Sequence, residues 1–175
     1  MRYSLFPQLD KCQREPVLRI LESCSNEFVP PLDYRHSPTQ ENFTKEDATG
    51  SYYEEVMKHQ FILALDQERV AGLLAFLNNP PLLSQPAIYI SVICVHKTYR
   101  GQGIARGLYS TLLSTLPQHY DKDVFFVRTW STNTIHQTLL SHLGFAIEKI
   151  IPDHRGNGID TIYYKYQHNS ADFRS

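Results

Sequence analysis

The chain has 175 residues, of which 42% are hydrophobic and 20% charged, a composition typical of one folded domain with its own hydrophobic core. Its formal net charge of −1 supplies no overall positive field, so we expect neither nucleic acid nor an acidic membrane surface as a partner. Every apolar run is shorter than a membrane span, which argues against a transmembrane segment.

The three cysteines, Cys12, Cys24 and Cys94, are spaced in no zinc or redox motif. We therefore expect no metal, and reduced thiols that pack in the core and do not act as nucleophiles. The segment MRYSLFPQLDKCQREP has charges where a signal peptide needs an apolar stretch. Together these features predict a cytoplasmic protein.

The N-terminal part of the chain is predicted to be helical and irregular. Apolar residues recur at helical spacing over 14–28, which predicts a first helix. Residues 29–50 are rich in Pro, Thr, Asp and Gly and predict a long irregular connection, a kind of segment that is often functional. Residues 51–60 predict a short second helix with Ser51 at its N-cap.

The pattern changes to strands from Phe61 onward. The runs FILALD and RVAGLLAFL flank the dipeptide QE and predict a β-hairpin. Residues 87–96 are β-branched and apolar on both faces, which is typical of a buried central strand. Residues 103–116 place leucines and an isoleucine on one face of a predicted helix.

The second half of the chain alternates strand and helix and then closes with two strands. The predicted segments are a buried strand over 123–130, a helix over 131–145, and strands over 145–151 and 160–166. The helix is expected to turn Ile135, Leu139 and Leu143 inward and to end at Gly144 as a C-cap glycine. The element order predicts a mixed α/β sheet with helices on its faces.

Two glycines, Gly101 and Gly103, stand one residue apart between the central strand and a helix. Such glycines let backbone amides at a helix N-terminus close on an anion, so residues 100–105 predict a pyrophosphate cradle. A tight turn without a ligand is the alternative. The P-loop pattern is absent. A dinucleotide fingerprint would fit the two glycines and an acidic residue further on, but Arg106 occupies the place of its third glycine.

The stretch Arg100–Ala105 is similar to the R/Q-x-x-G-x-G/A signature of the GNAT acetyltransferase superfamily. Asn133, followed by LLSHLGF, resembles the second motif of that superfamily, and the element order from Arg14 to Tyr166 is also similar. The resemblance implies an α/β GNAT fold: a mixed six- to seven-stranded sheet flanked by about four helices and splayed between its two central strands. It implies a single domain over 1–175, with a helical acceptor side (1–60), a hairpin, central strand and cofactor loop (61–116), and a C-terminal half (117–168).

The resemblance also implies transfer of an acetyl group from acetyl-CoA to a primary amine by direct attack in a ternary complex. The strand backbone near Ile93 would follow the pantetheine arm, and its amide would face the thioester oxygen. The loop amides would hold the pyrophosphate, while Asn133 would either contact the cofactor or cap its helix. The implied acetyl-CoA-binding residues are Ile93, Cys94, Val95, Arg100, Gly101, Gln102, Gly103, Ile104, Ala105, Arg106 and Asn133.

The chain departs from the family pattern in its proton-transfer groups. Leu140 stands where many members have a tyrosine acid, and the central strand carries no carboxylate base. A thiolate with a pKa near ~8.5 can leave without a proton, whereas an ammonium with a pKa of about 10 needs an acceptor for its proton. The catalytic candidates are Tyr89, Ser91, Glu54, Glu55 and Tyr109, with Asp33, His36 and His96 as further bases.

Acidic, basic and aromatic residues near the expected site indicate the acceptor. Trp130 ends a strand at an edge where α/β sites open, and Asp153 and Arg155 lie in the loop between the last two strands. Asp33 and the other acids suit a cationic amine, and Arg155 suits a carboxylate. The predicted substrate residues Asp33, Trp130, Asp153 and Arg155 therefore favour a small amine, an amino acid or a peptide N-terminus, although a solvated hairpin would also explain the loop.

Two other functions stay open at this point. The missing proton-transfer groups would suit a CoA-binding sensor or scaffold without turnover, and transfer to a protein lysine is a further alternative. Dimers are common in the family, so a homodimer is open as well.

Overall fold

The computed structural model describes residues 1–43 and 50–169. Its helices and strands are, in chain order, β1 (Arg2–Phe6), α1 (Lys11–Cys24), α2 (Tyr52–Val56), β2 (Gln60–Asp66), β3 (Arg69–Asn78), β4 (Ile88–Val95), α3 (Ile104–Tyr120), β5 (Val124–Trp130), α4 (Thr134–His142), β6 (Ala146–Ile151) and β7 (Thr161–Gln167). The irregular connection expected over 29–50 lies partly outside the described residues, and its described part includes a 3-10 turn at Leu32–Tyr34.

The strands form one seven-stranded sheet in the order β1-β2-β3-β4-β5-β7-β6. β4 and β5 run parallel, with Ile88–Ile90 opposite Phe125–Val127, and the pairs β1/β2, β2/β3, β5/β7 and β6/β7 are antiparallel. This mixed sheet with four α-helices confirms the predicted fold class. The splay expected between the two central strands stays a prediction.

The N-terminal strand β1 is absent from the predicted element order. Its five residues, RYSLF, carry a charge and a serine, so the local pattern is weak. The strand is held instead by its partner, because Arg2–Phe6 pairs antiparallel with Phe61–Leu65 of β2. Pairing between distant segments is invisible to a local pattern.

Both N-terminal helices have bounds that differ from the predicted ones. α1 begins at Lys11, ahead of the expected start, because Asp10 forms a capping box in which its Oδ1 accepts a hydrogen bond from Gln13 N at 3.0 Å. α2 ends at Val56, so His59 lies in a turn and Gln60 already belongs to β2. The competing strand pairing of β2 therefore shortens the second helix.

The chain divides into two compact units. The first consists of Met1–Phe76 and Ser91–Thr111, and it has an apolar core of its own between its strands and helices α1 and α2. Helix α1 contributes a stripe at helical spacing, and β2, β3 and β4 contribute alternating residues. The core includes Val17, Ile20, Leu21, Cys24, Val56, Phe61, Leu63, Leu73, Val92 and Cys94.

The second unit consists of Leu77–Ile90 and Leu112–Ser175. In helix α4 of this unit, the prediction that Ile135 points inward is wrong, because its side chain is 85% exposed. The buried stripe is offset by one residue: Leu140 is fully buried, and the His136 ring points inward to bond Thr129. The helix ends as predicted, with Gly144 in the left-handed region at φ +89. Within the described residues, no helix is both long and apolar enough to cross a membrane.

Candidate functional site

The two glycines after β4 form an open backbone turn at the start of α3. Gly101 and Gly103 both have φ +75, a left-handed conformation that costs little only for glycine. A Cβ added at either position would meet no protein atom within 4 Å, so protein packing does not explain the glycines. Gly107 N donates to Gly103 O at 3.0 Å, and the amides of 104–106 precede this first helical bond. Within the described residues, the turn therefore presents unpaired donors and the positive helix end beside open space, which fits a pyrophosphate.

The side chain of Arg100 braces this loop and does not extend from it. Its Nε donates to the Val95 carbonyl at 3.1 Å, and its Nη2 donates to Glu27 Oε1 at 3.0 Å and to Cys24 Sγ at 3.4 Å. The carboxylate raises the pKa of Arg100, which stays charged. The arginine thus connects the loop to the end of α1. The remaining loop cation is Arg106, whose side chain is exposed.

The other predicted loop residues divide into exposed and buried ones. Gln102 is exposed, and its Nε2 donates to the Thr98 carbonyl at 3.4 Å. Ile104 is buried and anchors the first turn of α3, while Ala105 is half-buried. The loop is therefore fixed at its helical end and accessible at its glycine end.

The strand residues predicted to follow the cofactor alternate in burial. Ile93 and Val95 are half-buried, whereas Cys94 is buried in the first unit's core. A hydrogen bond between the thiols lowers the pKa of Cys24 to about 6 and raises the pKa of Cys94 well above its usual value. Cys94 therefore stays a protonated, packed thiol, in agreement with the prediction for that residue. Cys12 is exposed, so the prediction of a packed thiol is wrong there.

A histidine that the sequence did not single out lies beside Ser91 on β4. His59 Nδ1 is 2.8 Å from Ser91 Oγ, which donates its proton to the Ala75 carbonyl at 3.1 Å. Burial lowers the pKa of His59 to about 4, opposed by the charge of Glu55. A histidine just after a short helix gives no local signal of this kind, because its partner is 32 positions away in the sequence.

The other catalytic candidates have different environments. Tyr89 and Tyr109 are fully buried, and burial raises the pKa of Tyr109, so its hydroxyl stays protonated. Glu55 forms an ion pair with Lys58 at 2.6 Å. Within the first unit the structure brings Ser91 next to His59, whereas Glu55 is already neutralised.

Glu54 lines a cavity between α1 and α2 of about 400 Å³. Tyr53, on the wall, donates a hydrogen bond to Asp33. Burial, together with this hydrogen bond, raises the pKa of Tyr53 to about 12. Apolar and charged groups of both signs surround the cavity. Its lining consists of Lys11, Arg14, Glu15, Leu18, Tyr53, Glu54 and Met57.

Asn133, in the second unit, caps α4. Its Oδ1 accepts a hydrogen bond from His136 N at 3.3 Å, which is the capping alternative that the sequence left open. The carbonyl side of the amide is thus committed to the helix. A contact of Asn133 with the cofactor stays a prediction.

The structure brings two of the predicted substrate residues of the second unit together. The guanidinium of Arg155 lies 5.3 Å from the centre of the Trp130 ring, and its Nε donates to Thr161 Oγ1 at 2.9 Å. Asp153 is exposed and accepts from Gly158 N at 2.5 Å, which orders the turn. Arg155 is only 8% exposed, so it supports the Trp130 ring, and a role in binding substrate stays a prediction. No cluster of metal-ligating side chains occurs within residues 1–43 and 50–169.

Comparison with family models identifies one family. The model of the acetyltransferase (GNAT) family matches residues 18–145. The yncA protein of Salmonella typhimurium, solved with its cofactor acetyl-CoA, is 18% identical, with a TM-score of 0.66, over 97% of this chain and 96% of its own. A ribosomal-protein-alanine N-acetyltransferase from Brucella melitensis is 13% identical, with a TM-score of 0.69, over 95% of this chain and 99% of its own.

An aminoglycoside 6'-N-acetyltransferase complexed with coenzyme A is 14% identical, with a TM-score of 0.68, over 95% of this chain and 97% of its own. No curated protein sequence matches this chain significantly. At these identities the structural likeness establishes the fold, and the family model establishes the family.

Proposed function

This chain belongs to the acetyltransferase (GNAT) family, and from that premise we propose that it is an acetyl-CoA-dependent N-acetyltransferase. The acceptor is a primary amine of a small molecule, an amino acid or a peptide N-terminus, attacked directly in a ternary complex. The single observation that carries the proposal is the glycine turn before α3. Its two left-handed glycines leave open space where side chains would stand, next to the amides of 104–106, which have no acceptor among the described residues.

The residues of the first unit have distinct roles in binding the donor. The amides of 104–106 hold the pyrophosphate, and Arg106 adds a positive charge. Arg100 keeps the loop in place through Glu27 and the Val95 carbonyl. The amide of Ile93 is the proposed donor toward the thioester oxygen. Acetyl-CoA supplies the acetyl group on a thioester whose thiolate can leave unprotonated, because its pKa is near ~8.5. This accounts for activity without a tyrosine at Leu140.

The cavity between α1 and α2 supports the amine assignment. Glu54 offers negative charge to an ammonium group, while Lys11 and Arg14 offer positive charge to a carboxylate. Leu18, Tyr53 and Met57 provide an apolar wall between them. Glu15, also on the lining, already forms an ion pair with Arg19. This lining suits an amphoteric acceptor such as an amino acid or a peptide N-terminus. Two structural neighbours named as N-acetyltransferases are consistent with nitrogen as the acceptor atom.

Transfer to a panel of amines, followed by mass spectrometry of the products, tests the proposal. The panel contains free amino acids, short peptides with free and blocked N-termini, aminoglycosides, simple amines and a lysine-containing peptide with a blocked N-terminus. Acetylation of an α-amino or small-molecule amine is the expected result. Acetylation confined to the blocked lysine peptide would show a lysine acetyltransferase instead. Binding of acetyl-CoA without any product would favour a CoA-binding sensor.

A further inference from the structure

The hydrogen bonds of Ser91 determine the tautomer of His59. The Ala75 carbonyl can only accept, so the single hydroxyl proton of Ser91 is used for that bond at 3.1 Å. The remaining contact, 2.8 Å between Ser91 Oγ and His59 Nδ1, then requires a proton on Nδ1. His59 is therefore held as a neutral ring with a lone pair on Nε2.

The environment of the ring keeps that lone pair available. His59 is 7% exposed, and burial lowers its pKa to about 4, so the ring is neutral at pH 7. The charged group that acts on it among the described residues is Glu55 of α2, which works in the opposite direction. In the part of the chain that the structure describes, Nε2 has no hydrogen-bond partner, and the atom is not fully buried. The basic edge of the ring therefore reaches solvent.

The position of the pair matches a need of the reaction. Ser91 precedes Ile93 by two residues on β4, the strand whose backbone is proposed to receive the thioester. That strand has no carboxylate, so the proton of the attacking amine needs another acceptor. A lone pair fixed in direction beside this strand is suited to that task.

We propose that His59 is the general base of acetyl transfer and that Ser91 is the positioning residue that holds its ring. This assignment rests on the proposed function. As the amine nitrogen bonds to the acetyl carbon, its proton moves to His59 Nε2, and the carbon–sulfur bond breaks with its electron pair going to CoA. The imidazolium then releases the proton to solvent. The amine enters neutral, because a ring with this pKa cannot deprotonate a free ammonium whose pKa is about 10.

Turnover and rescue of His59→Ala test the proposal. We expect kcat to fall by about 10²- to 10⁴-fold, the usual effect of losing a general base, with acetyl-CoA affinity unchanged. Added imidazole should restore turnover in a concentration-dependent way. His136→Ala is the matched control: it removes a half-buried, neutral histidine that is also bonded to a hydroxyl, through Thr129 at 3.1 Å. It should keep its turnover and not respond to imidazole.

If His59→Ala is unstable, His59→Gln and Ser91→Ala provide the test. Ser91→Ala removes the bond that orients the ring and should lower kcat by about tenfold, as for loss of one hydrogen bond of about 1.4 kcal/mol. Folded His59 variants with native kcat, or with a loss that imidazole does not reverse, would overturn the assignment while leaving the proposed function intact. A native chain that acetylates no amine would overturn both.

Discussion

Replacing Gly103 by alanine should separate the cost of a strained backbone from the loss of a ligand site. At φ +75 an L-residue costs about 1–2 kcal/mol, partly offset by about 0.4–1 kcal/mol from the restricted unfolded chain. The net loss of about 1 kcal/mol corresponds to a fall in Tm of about 2–4 °C for a chain of this size. The new methyl group would also stand in open space that the pyrophosphate is proposed to approach.

The expected loss of acetyl-CoA affinity is larger than the effect on stability. The methyl group is expected to displace the pyrophosphate from at least one of the amides of 104–106. Loss of one hydrogen bond to a charged group costs about 1.5–3 kcal/mol, so Kd should rise about 10- to 100-fold. Isothermal titration calorimetry measures Kd, and thermal unfolding measures Tm. Gly158→Ala is the matched control, because Gly158 has φ +76 and equally open space around it. Equal affinity in the two variants, with similar Tm values, would refute the assignment of the glycine turn as the cofactor cradle.

Three further predictions concern stability. Gly107→Ala should destabilise the fold by about 1–2 kcal/mol in urea unfolding, because its Cβ would overlap the Tyr3 hydroxyl and the clash outweighs the better helix propensity. In a Tyr3→Ala background the same change should stabilise by up to about 1 kcal/mol, and a persistent loss there would contradict the clash. Burial lowers the pKa of both His59 and His136 to about 4, below the unfolded value of 6.5, so the unfolded state binds more protons between these pH values. The free energy of unfolding should therefore fall between pH 6.5 and pH 4 by on the order of 3 kcal/mol per histidine. His136→Gln should remove the His136 share of that fall, and an unchanged pH dependence would contradict a neutral His136 ring in the folded state. Ile135→Lys should change the free energy of unfolding by no more than about 0.5 kcal/mol, because the side chain is 85% exposed. A large loss would show that the side chain points inward.

The sequence was informative wherever the determinant is local. The hairpin of β2 and β3, the apolar stripe of α3 and the C-cap at Gly144 follow from periodicity and glycine chemistry, and all three are present in the structure. The glycine pair also follows from the sequence, because few structural reasons place two glycines one residue apart before a helix. Its left-handed backbone agrees with that expectation.

The side-chain contacts that the sequence did not predict involve residues distant in the chain. The sequence predicts Arg100 among the acetyl-CoA-binding residues, which stays a prediction, but it gives no sign of the partner Glu27, 73 positions away. His59 gained a role only through Ser91 on another strand. The apolar pattern of α4 predicts Ile135 in the core, but the buried face of the helix lies one residue further along the chain. There His136 turns inward and bonds Thr129. Each of these features depends on a tertiary hydrogen bond that a local sequence pattern does not contain.

Binding of acetyl-CoA to the native chain, measured by isothermal titration calorimetry, tests the central claim most directly. The account predicts one saturable site per chain, with desulfo-CoA competing for it, because the pyrophosphate contacts at the glycine turn do not involve the thioester. Absence of binding by the folded chain would contradict the cofactor assignment, and with it the proposed acetyl transfer.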